Sequence, residues 1–336
     1  MIKSGKDIVF ASRLIKEGKL VAFPTETVYG LGADGLNPKA VAKIFEVKNR
    51  PSFDPLILHI SDIGEMYEIF TNPVPTIIKR LANKYWPGPL TIVAPRQKII
   101  PNIVTSGLPT VAVRMPNNPF ALKLIRLSGV PIAAPSANLF GKLSPTTPIQ
   151  VKEQLTKVDY LIDGGHTTIG LESTIVSALN ETIKILRPGI ISEEQLKKDF
   201  PDIEVISEHS KSDVNAPGQL KSHYAPNKPL FLLDELPEAL TKEIGLLLLQ
   251  PMELPYNTRC KIKFLSKDGD LFDAATNLFG ILYSFEKNSS IEKIYALKIE
   301  EEGIGKAIMD RLKKASYGNT FVKADDEVDD EADNSR

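Results

Sequence analysis

The sequence predicts an α/β protein in two parts: a large twisted mixed sheet flanked by helices, then a smaller parallel-sheet unit. Three observations lead there. Short apolar runs alternate with amphipathic, capped stretches in both halves of the chain, the pattern of strands exchanged with helices. Residues 207–229, SEHSKSDVNAPGQLKSHYAPNKP, break that alternation with Ser, Pro, Asn and Lys and few aliphatics, the composition of a linker. The 336 residues also suffice for two separate cores. The expected units are therefore 1–206, a linker at 207–229, 230–322, and an acidic, disordered tail at 323–336.

The elements follow in order. Ile8, Ala11, Leu14 and Ile15 share one face of a first helix, and Gly18 is placed to end it. Strands are expected at 20–23, 56–60, 90–94, 111–114, 132–134, 160–163, 173–176 and 184–186. Between them, residues 38–48 read as a helix with Asn37 as N-cap and Pro38 at the first helical position. Further helices are expected at 76–84 and 119–128, while the strand order stays open. Beyond the linker, strands at 230–233, 245–249, 261–265 and 293–297 alternate with helices near 270–286 and 303–316.

Hydrophobic residues make up 42% and charged residues 25%, as in ordinary soluble globular chains. The single cysteine, Cys260, excludes an intrachain disulfide and a cysteine-based metal cluster, which fits a reducing compartment. The N-terminal stretch lacks a basic-then-apolar signal layout, and no apolar run approaches the length of a membrane span. A cytoplasmic protein without membrane attachment is expected. Net charge is −1, but residues 324–336 hold seven acids against one arginine, leaving +5 on the rest. His59, His166, His209 and His223 have no metal-ligand spacing, so no metal site built from protein side chains is assigned. There is no Gly-x-Ser-x-Gly elbow and no Gly-x-Gly-x-x-Gly fingerprint after a strand. Gly303-Ile-Gly305-Lys306 lacks the Ser/Thr of a phosphate loop and reads as a helix start.

The chemistry concentrates in the first half. Lys48 and Arg50 sit at i and i+2 before Pro51, which favours an extended segment and would turn both cations toward one anion. Ser136 and Asn138, beside Pro135, repeat the device with neutral groups. Arg114 closes an apolar strand, and Arg187 stands where a strand runs into a turn. Guanidinium pairs bidentately with carboxylate or phosphate, so this ensemble suits a ligand with more than one anionic group. Glycine-rich turns at 29–32, 163–166 and 170–174 would let backbone approach such a ligand.

These motifs together closely resemble the YrdC-type threonylcarbamoyl-AMP synthases in their longer, two-domain form. The resemblance rests on PTETVYGLG at 24–32, KxR at 48–50, WPGPLT at 86–91, APSAN at 134–138, ESTIV at 172–176, RPG at 187–189 and HYAP at 223–226. It implies a YrdC-like first domain with a Rossmann-like second one. It also implies synthesis of threonylcarbamoyl-adenylate from L-threonine, bicarbonate or CO2 and ATP with Mg²⁺, releasing pyrophosphate. The product would pass to a tRNA threonylcarbamoyl-transferase complex, for the adenosine beside the anticodon. Carried over, Thr27, His59, Arg114, Ala134 (through its backbone) and Ser173 surround L-threonine. Arg50, Asp54, Thr110, Ser136, Asn138, Ser144, Arg187 and Tyr224 surround the nucleotide, with Lys48 and Arg50 neutralising charge in phosphoryl transfer. At Asp54 the family commonly has asparagine, and an aspartate cannot donate the amide hydrogen bond. Residues 213–226 are expected to fold over the site as a lid.

Three other readings stand beside this one. A nucleic-acid-binding module with weak RNA affinity would use the +5 charge, although the cations are not interleaved with aromatics. A carbamoyltransferase of the hydrogenase-maturation type would need zinc-finger cysteines, against one cysteine here. A threonine or nucleotide sensor would bind without turnover.

Overall fold

The computed structural model describes residues 2–179, 182–207, 218, 220, 223–255 and 257–319. The acidic tail, His209 and most of the linker lie outside these described residues. Eleven strands build one sheet: β1 (Ser4–Gly5), β2 (Val21–Pro24), β3 (Tyr29–Asp34), β4 (Ile57–His59), β5 (Leu90–Pro95), β6 (Thr110–Arg114), β7 (Ile132–Ala133), β8 (Tyr160–Ile162), β9 (Thr174–Leu179), β10 (Thr182–Arg187) and β11 (Glu204–Ser207). Their order is β1-β8-β2-β3-β7-β4-β6-β5-β9-β10-β11. The sheet is mixed, as expected: β4 runs parallel to β6 and β5 parallel to β9, whereas β2/β3 and β5/β6 are antiparallel.

Five strands differ from the sequence expectation: β1, β3 and β11 here, and two short strands at 239–240 and 257–258 in the second unit. The glycine-rich stretch 29–32, read from sequence as a turn, is the start of β3, with Gly30 and Gly32 facing Phe23 and Val21 of β2 in register. Close packing requires the glycine at 32. A Cβ there would meet the Phe23 ring at 2.7 Å and the Ile132 side chain at 2.8 Å, inside any tolerable contact.

Helix ends decide where the cations go. The Asn37 side chain accepts hydrogen bonds from the Lys39 and Ala40 N–H groups, starting the helix Pro38–Lys48 as its sequence predicts. That helix runs through Lys48 and stops at Asn49, which takes the left-handed conformation (φ 51°). Lys48 and Arg50 are thus not neighbours on one extended face, because a helix end intervenes. The first helix, Ile8–Lys16, is capped by Asp7 and buries Ala11, Leu14 and Ile15, each larger side chain contributing about 1.5–3 kcal/mol.

After the linker come β12 (Leu230–Leu233), β13 (Ala239–Leu240), β14 (Ile244–Leu248), β15 (Asn257–Thr258), β16 (Lys261–Phe264) and β17 (Lys293–Leu297). A parallel sheet forms in the order β12-β17-β14-β16, and β13 pairs with β15. Helices Leu271–Lys287 and Gly305–Ala315 pack on it. The second core does not end at the linker: Leu278, Leu282, Ile308 and Leu312 share it with Val28, Leu143, Leu171 and Tyr224. Gly170 (φ 76°) marks one tight approach, since a Cβ there would lie 2.4 Å from the Thr276 backbone.

Candidate active site

Strand ends of the large sheet deliver the functional groups. β4 and β6 are parallel with His59 opposite Arg114. β2 runs into Thr25 and Thr27, β7 into Ala134, and β10 ends at Arg187. Together with Arg50, Ser136, Ser173, Glu172, His223 and Tyr224 these residues line one cavity. The arginines that the sequence left on separate segments, Arg50, Arg114 and Arg187, therefore face a common space.

One end of the cavity is built around Arg114. Its Nη1 donates to Thr27 Oγ1 at 2.9 Å and its Nε to the Gly88 carbonyl at 3.2 Å. Its Nη2 lies 2.6 Å from Glu26 Oε1, an ion contact lacking good hydrogen-bond angles. The Thr25 and Thr27 hydroxyls are 2.8 Å apart. His59 is buried with Nδ1 unpartnered. Burial, reinforced by the nearby Arg114, drops its pKa to about 3, so the imidazole is neutral. This corner offers a fixed guanidinium, hydroxyls and a neutral acceptor, the set that an amino acid bearing a hydroxyl requires. Ala134 donates its N–H to the Ile57 carbonyl at 2.9 Å, which leaves its carbonyl for a ligand.

The other end carries Arg50, Arg187 and Tyr224. Arg50 donates to the carbonyls of Asp54 (3.0 Å) and Pro55 (2.8 Å). Arg187 donates to the Ser173 carbonyl at 2.9 and 3.1 Å and to Ser173 Oγ at 3.1 Å, and that hydroxyl is 2.7 Å from Thr91 Oγ1. Ser173 is thus held on the cavity wall by Arg187 and Thr91. Burial lowers the pKa of both arginines, yet a guanidinium stays charged. Tyr224 is fixed in the left-handed region (φ 61°) by its ring contacts with His223 and Phe279, 4.1 and 5.6 Å between centroids. The adjacent Ala225 donates to the Gly141 carbonyl at 2.7 Å. Burial pushes the Tyr224 phenol up to about 12, leaving a protonated donor on the cavity wall.

Five residues expected around the ligands do not line this cavity. Lys48 is buried behind the wall and donates to the carbonyls of Ser136 (2.6 Å) and Asn138; burial and then Arg50 hold its pKa well below the ordinary lysine value. The Asn138 amide turns into its own loop, donating to the Leu139 and Lys142 carbonyls at 2.7 and 2.9 Å. Ser144 donates to Glu172, which lines the cavity in its place. Asp54 pairs with Arg50 at 2.9 Å; burial pushes its carboxyl upward while Arg50, Lys48 and Arg187 pull it down. Thr110 begins β6 while Arg114 ends it, about 13 Å away at ~3.3 Å per residue.

Other residues at the site had no role assigned from sequence: Thr25, Glu26, Thr91 and Glu172. All four lie inside motifs already singled out; Thr25 and Glu172 line the cavity, whereas Glu26 and Thr91 brace Arg114 and Ser173. Among the described residues, no three His, Cys, Asp or Glu side chains converge as a metal set.

Comparison with known proteins agrees with this geometry. The family model described as "Telomere recombination" (Sua5_yciO_yrdC) matches residues 13–189, and "Threonylcarbamoyl-AMP synthase, C-terminal domain" matches residues 191–316. The threonylcarbamoyl-AMP synthase of Pyrococcus abyssi is 41% identical, over 94% of this chain and 95% of its own. That of Bacillus subtilis is 40% identical, over 94% of each. A crystal structure of P. abyssi Sua5 complexed with L-threonine superposes with a TM-score of 0.83 at 35% identity, covering 96% of this chain and 99% of that one. The chain belongs to the threonylcarbamoyl-AMP synthase family, in its two-domain Sua5 form.

Proposed function

We propose that the chain makes L-threonylcarbamoyl-adenylate from L-threonine, bicarbonate or CO2 and ATP, releasing pyrophosphate. The observation that carries this reading is the division of one cavity into two ends. Arg114, Thr25, Thr27 and neutral His59 offer an amino-acid corner. Arg50, Arg187 and Tyr224 supply cationic and hydroxyl donors for phosphate.

In this reading Arg114 takes the threonine carboxylate, and the small hydroxyls meet the threonine hydroxyl. A partner dedicated to that hydroxyl discriminates against valine far better than apolar contact does. The neutral amine attacks the carbon of CO2 and sheds a proton, giving a carbamate; from bicarbonate the same bond forms with loss of water. A carbamate oxygen then attacks the α-phosphorus while the bond to the bridging oxygen breaks, and pyrophosphate leaves. Such transfer depends on positioning and charge neutralisation, which Arg50 and Arg187 supply here. Mg²⁺ enters with ATP as part of the substrate. The expected lid, residues 213–226, lies mostly outside the described residues; its members Gly218, His223 and Tyr224 line the cavity and help keep the labile carbamate from water.

The product serves threonylcarbamoyl modification of a tRNA adenosine, and a transferase complex is its proposed recipient. No described helix is long and apolar enough to cross a membrane; the cytoplasm is the proposed compartment. The test is incubation of the purified chain with ATP, Mg²⁺, bicarbonate and L-threonine. Pyrophosphate release that depends on L-threonine and is not supported by L-valine is expected. Release indifferent to threonine, or none, would overturn the proposal.

A further inference from the structure

The second unit reaches the active site through one side chain. Arg311 lies in the helix Gly305–Ala315, whose sequence GKAIMDRLKKA reads as an ordinary amphipathic helix with charges toward water. Yet Arg311 is only 1% exposed. A buried guanidinium persists only where carboxylate and carbonyl partners compensate its lost hydration.

Two of those partners belong to the first unit. Arg311 Nε pairs with Glu172 Oε2 at 2.9 Å, and Nη1 donates to the Pro188 carbonyl at 3.0 Å. Asp310, its neighbour in sequence, stands 2.6 Å from Nη1. The guanidinium carbon also sits 5.1 Å from the Tyr224 ring centroid, a cation–π distance. Glu172 and Tyr224 both line the cavity, whereas Arg311 stands behind them. One turn further along, Lys314 Nζ donates to the Gly218 carbonyl at 2.7 Å and the Lys314 carbonyl accepts the His223 N–H at 3.3 Å. The same helix therefore grips both the catalytic wall and the linker.

Electrostatics gives this contact a purpose. Glu172 is a carboxylate on the wall of a space proposed to receive a polyphosphate, and an uncompensated carboxylate there would repel it. Rotation of Glu172 toward Arg187 would also divert a cation that the nucleotide needs. We propose that Arg311 is a positioning residue of the active site: it neutralises and immobilises Glu172 and seats the Tyr224 ring, so the second unit makes the first competent to bind ATP. This deepens the synthase reading and rests on it.

The experiment compares the full chain with Arg311→Met, Glu172→Gln and the double variant. It reads the KM for ATP, the dissociation constant for L-threonine without ATP, and the thermal midpoint. Arg311→Met should raise the KM for ATP tenfold or more and leave threonine affinity within threefold. In the double variant the repelling charge is gone, so its KM for ATP should return to within threefold of Glu172→Gln alone. A purely architectural arginine would lower the active fraction, and hence kcat, without moving that KM, and Glu172→Gln would rescue nothing; either outcome overturns the inference. Should Arg311→Met not fold, the charge-balanced double variant against Glu172→Gln decides, a tenfold difference in KM counting against it. If the unaltered chain itself releases no pyrophosphate, the synthase reading fails first and takes the inference with it.

Discussion

The guanidinium of Arg114 and the carboxylate of Glu26 meet 2.6 Å apart, both buried, at the edge of the amino-acid corner. With Thr27 and the Gly88 carbonyl, Glu26 fixes the direction in which Arg114 presents its remaining donors. An arginine held on several sides is already oriented when a substrate carboxylate arrives. Replacing Glu26 by alanine strands a buried positive charge, and the expected loss is about 3 kcal/mol of stability. The double variant Glu26→Ala/Arg114→Met should lose less than the sum of the single changes. Urea unfolding at one pH measures both, and strict additivity would show that the pair is not coupled.

Arg50 is held by two backbone carbonyls and Asp54, which only a planar fork can satisfy together. Arg50→Lys keeps a charge but loses that alignment. The catalytic efficiency with ATP should fall on the order of a hundredfold, the usual scale for removing one oriented donor at a reacting centre. Threonine affinity should be nearly unchanged. An equal fall in both would move Arg50 out of the nucleotide end.

Lys48 supports the Ser136–Asn138 loop from behind. Lys48→Met should leave buried carbonyls unsatisfied and cost about 2 kcal/mol of stability, read as a lowered thermal midpoint. The KM for ATP should rise with it, because Ser136 is on the cavity wall. Unaltered stability with abolished turnover would place the ammonium on the substrate instead.

His59 predicts a pH signature. Its pKa is about 3 in the folded chain and about 6.5 when unfolded. Between these values the unfolded chain binds the extra proton, so His59 draws stability down as pH falls from about 6.5 toward 3. Between pH 7.5 and pH 5 the unaltered protein should lose on the order of 2 kcal/mol more than His59→Asn does. His223, also shifted well down by burial and then Arg50, titrates in the same sense, which is why the comparison with the single variant is the informative one. Equal pH dependence of the two proteins would mean that His59 is hydrated.

Much of this was legible in the chain, for identifiable reasons. Asn37 and Pro38 announced a helix start, Arg114 and Arg187 announced strand ends, and both were found there. Short-range chemistry fixes such features. What the sequence concealed depends on contacts across long separations. β3 looked like a turn because its glycines make room for Phe23 and Ile132. Lys48 and Arg50 looked adjacent on one face because Asn49, with no glycine to betray it, turns left-handed between them. Nothing local to residues 305–315 marks Arg311 as buried, because its partner, Glu172, lies in another unit.

Val28, Leu143 and Leu171 are buried against the helices that follow the linker. Cutting the chain after the first sheet would wet all three at once, on a face about as greasy as any folding intermediate's. A truncated protein that fails in an assay would then report clumping in the tube rather than missing chemistry. The informative fragment is one whose newly bared side chains have first been exchanged for water-loving ones.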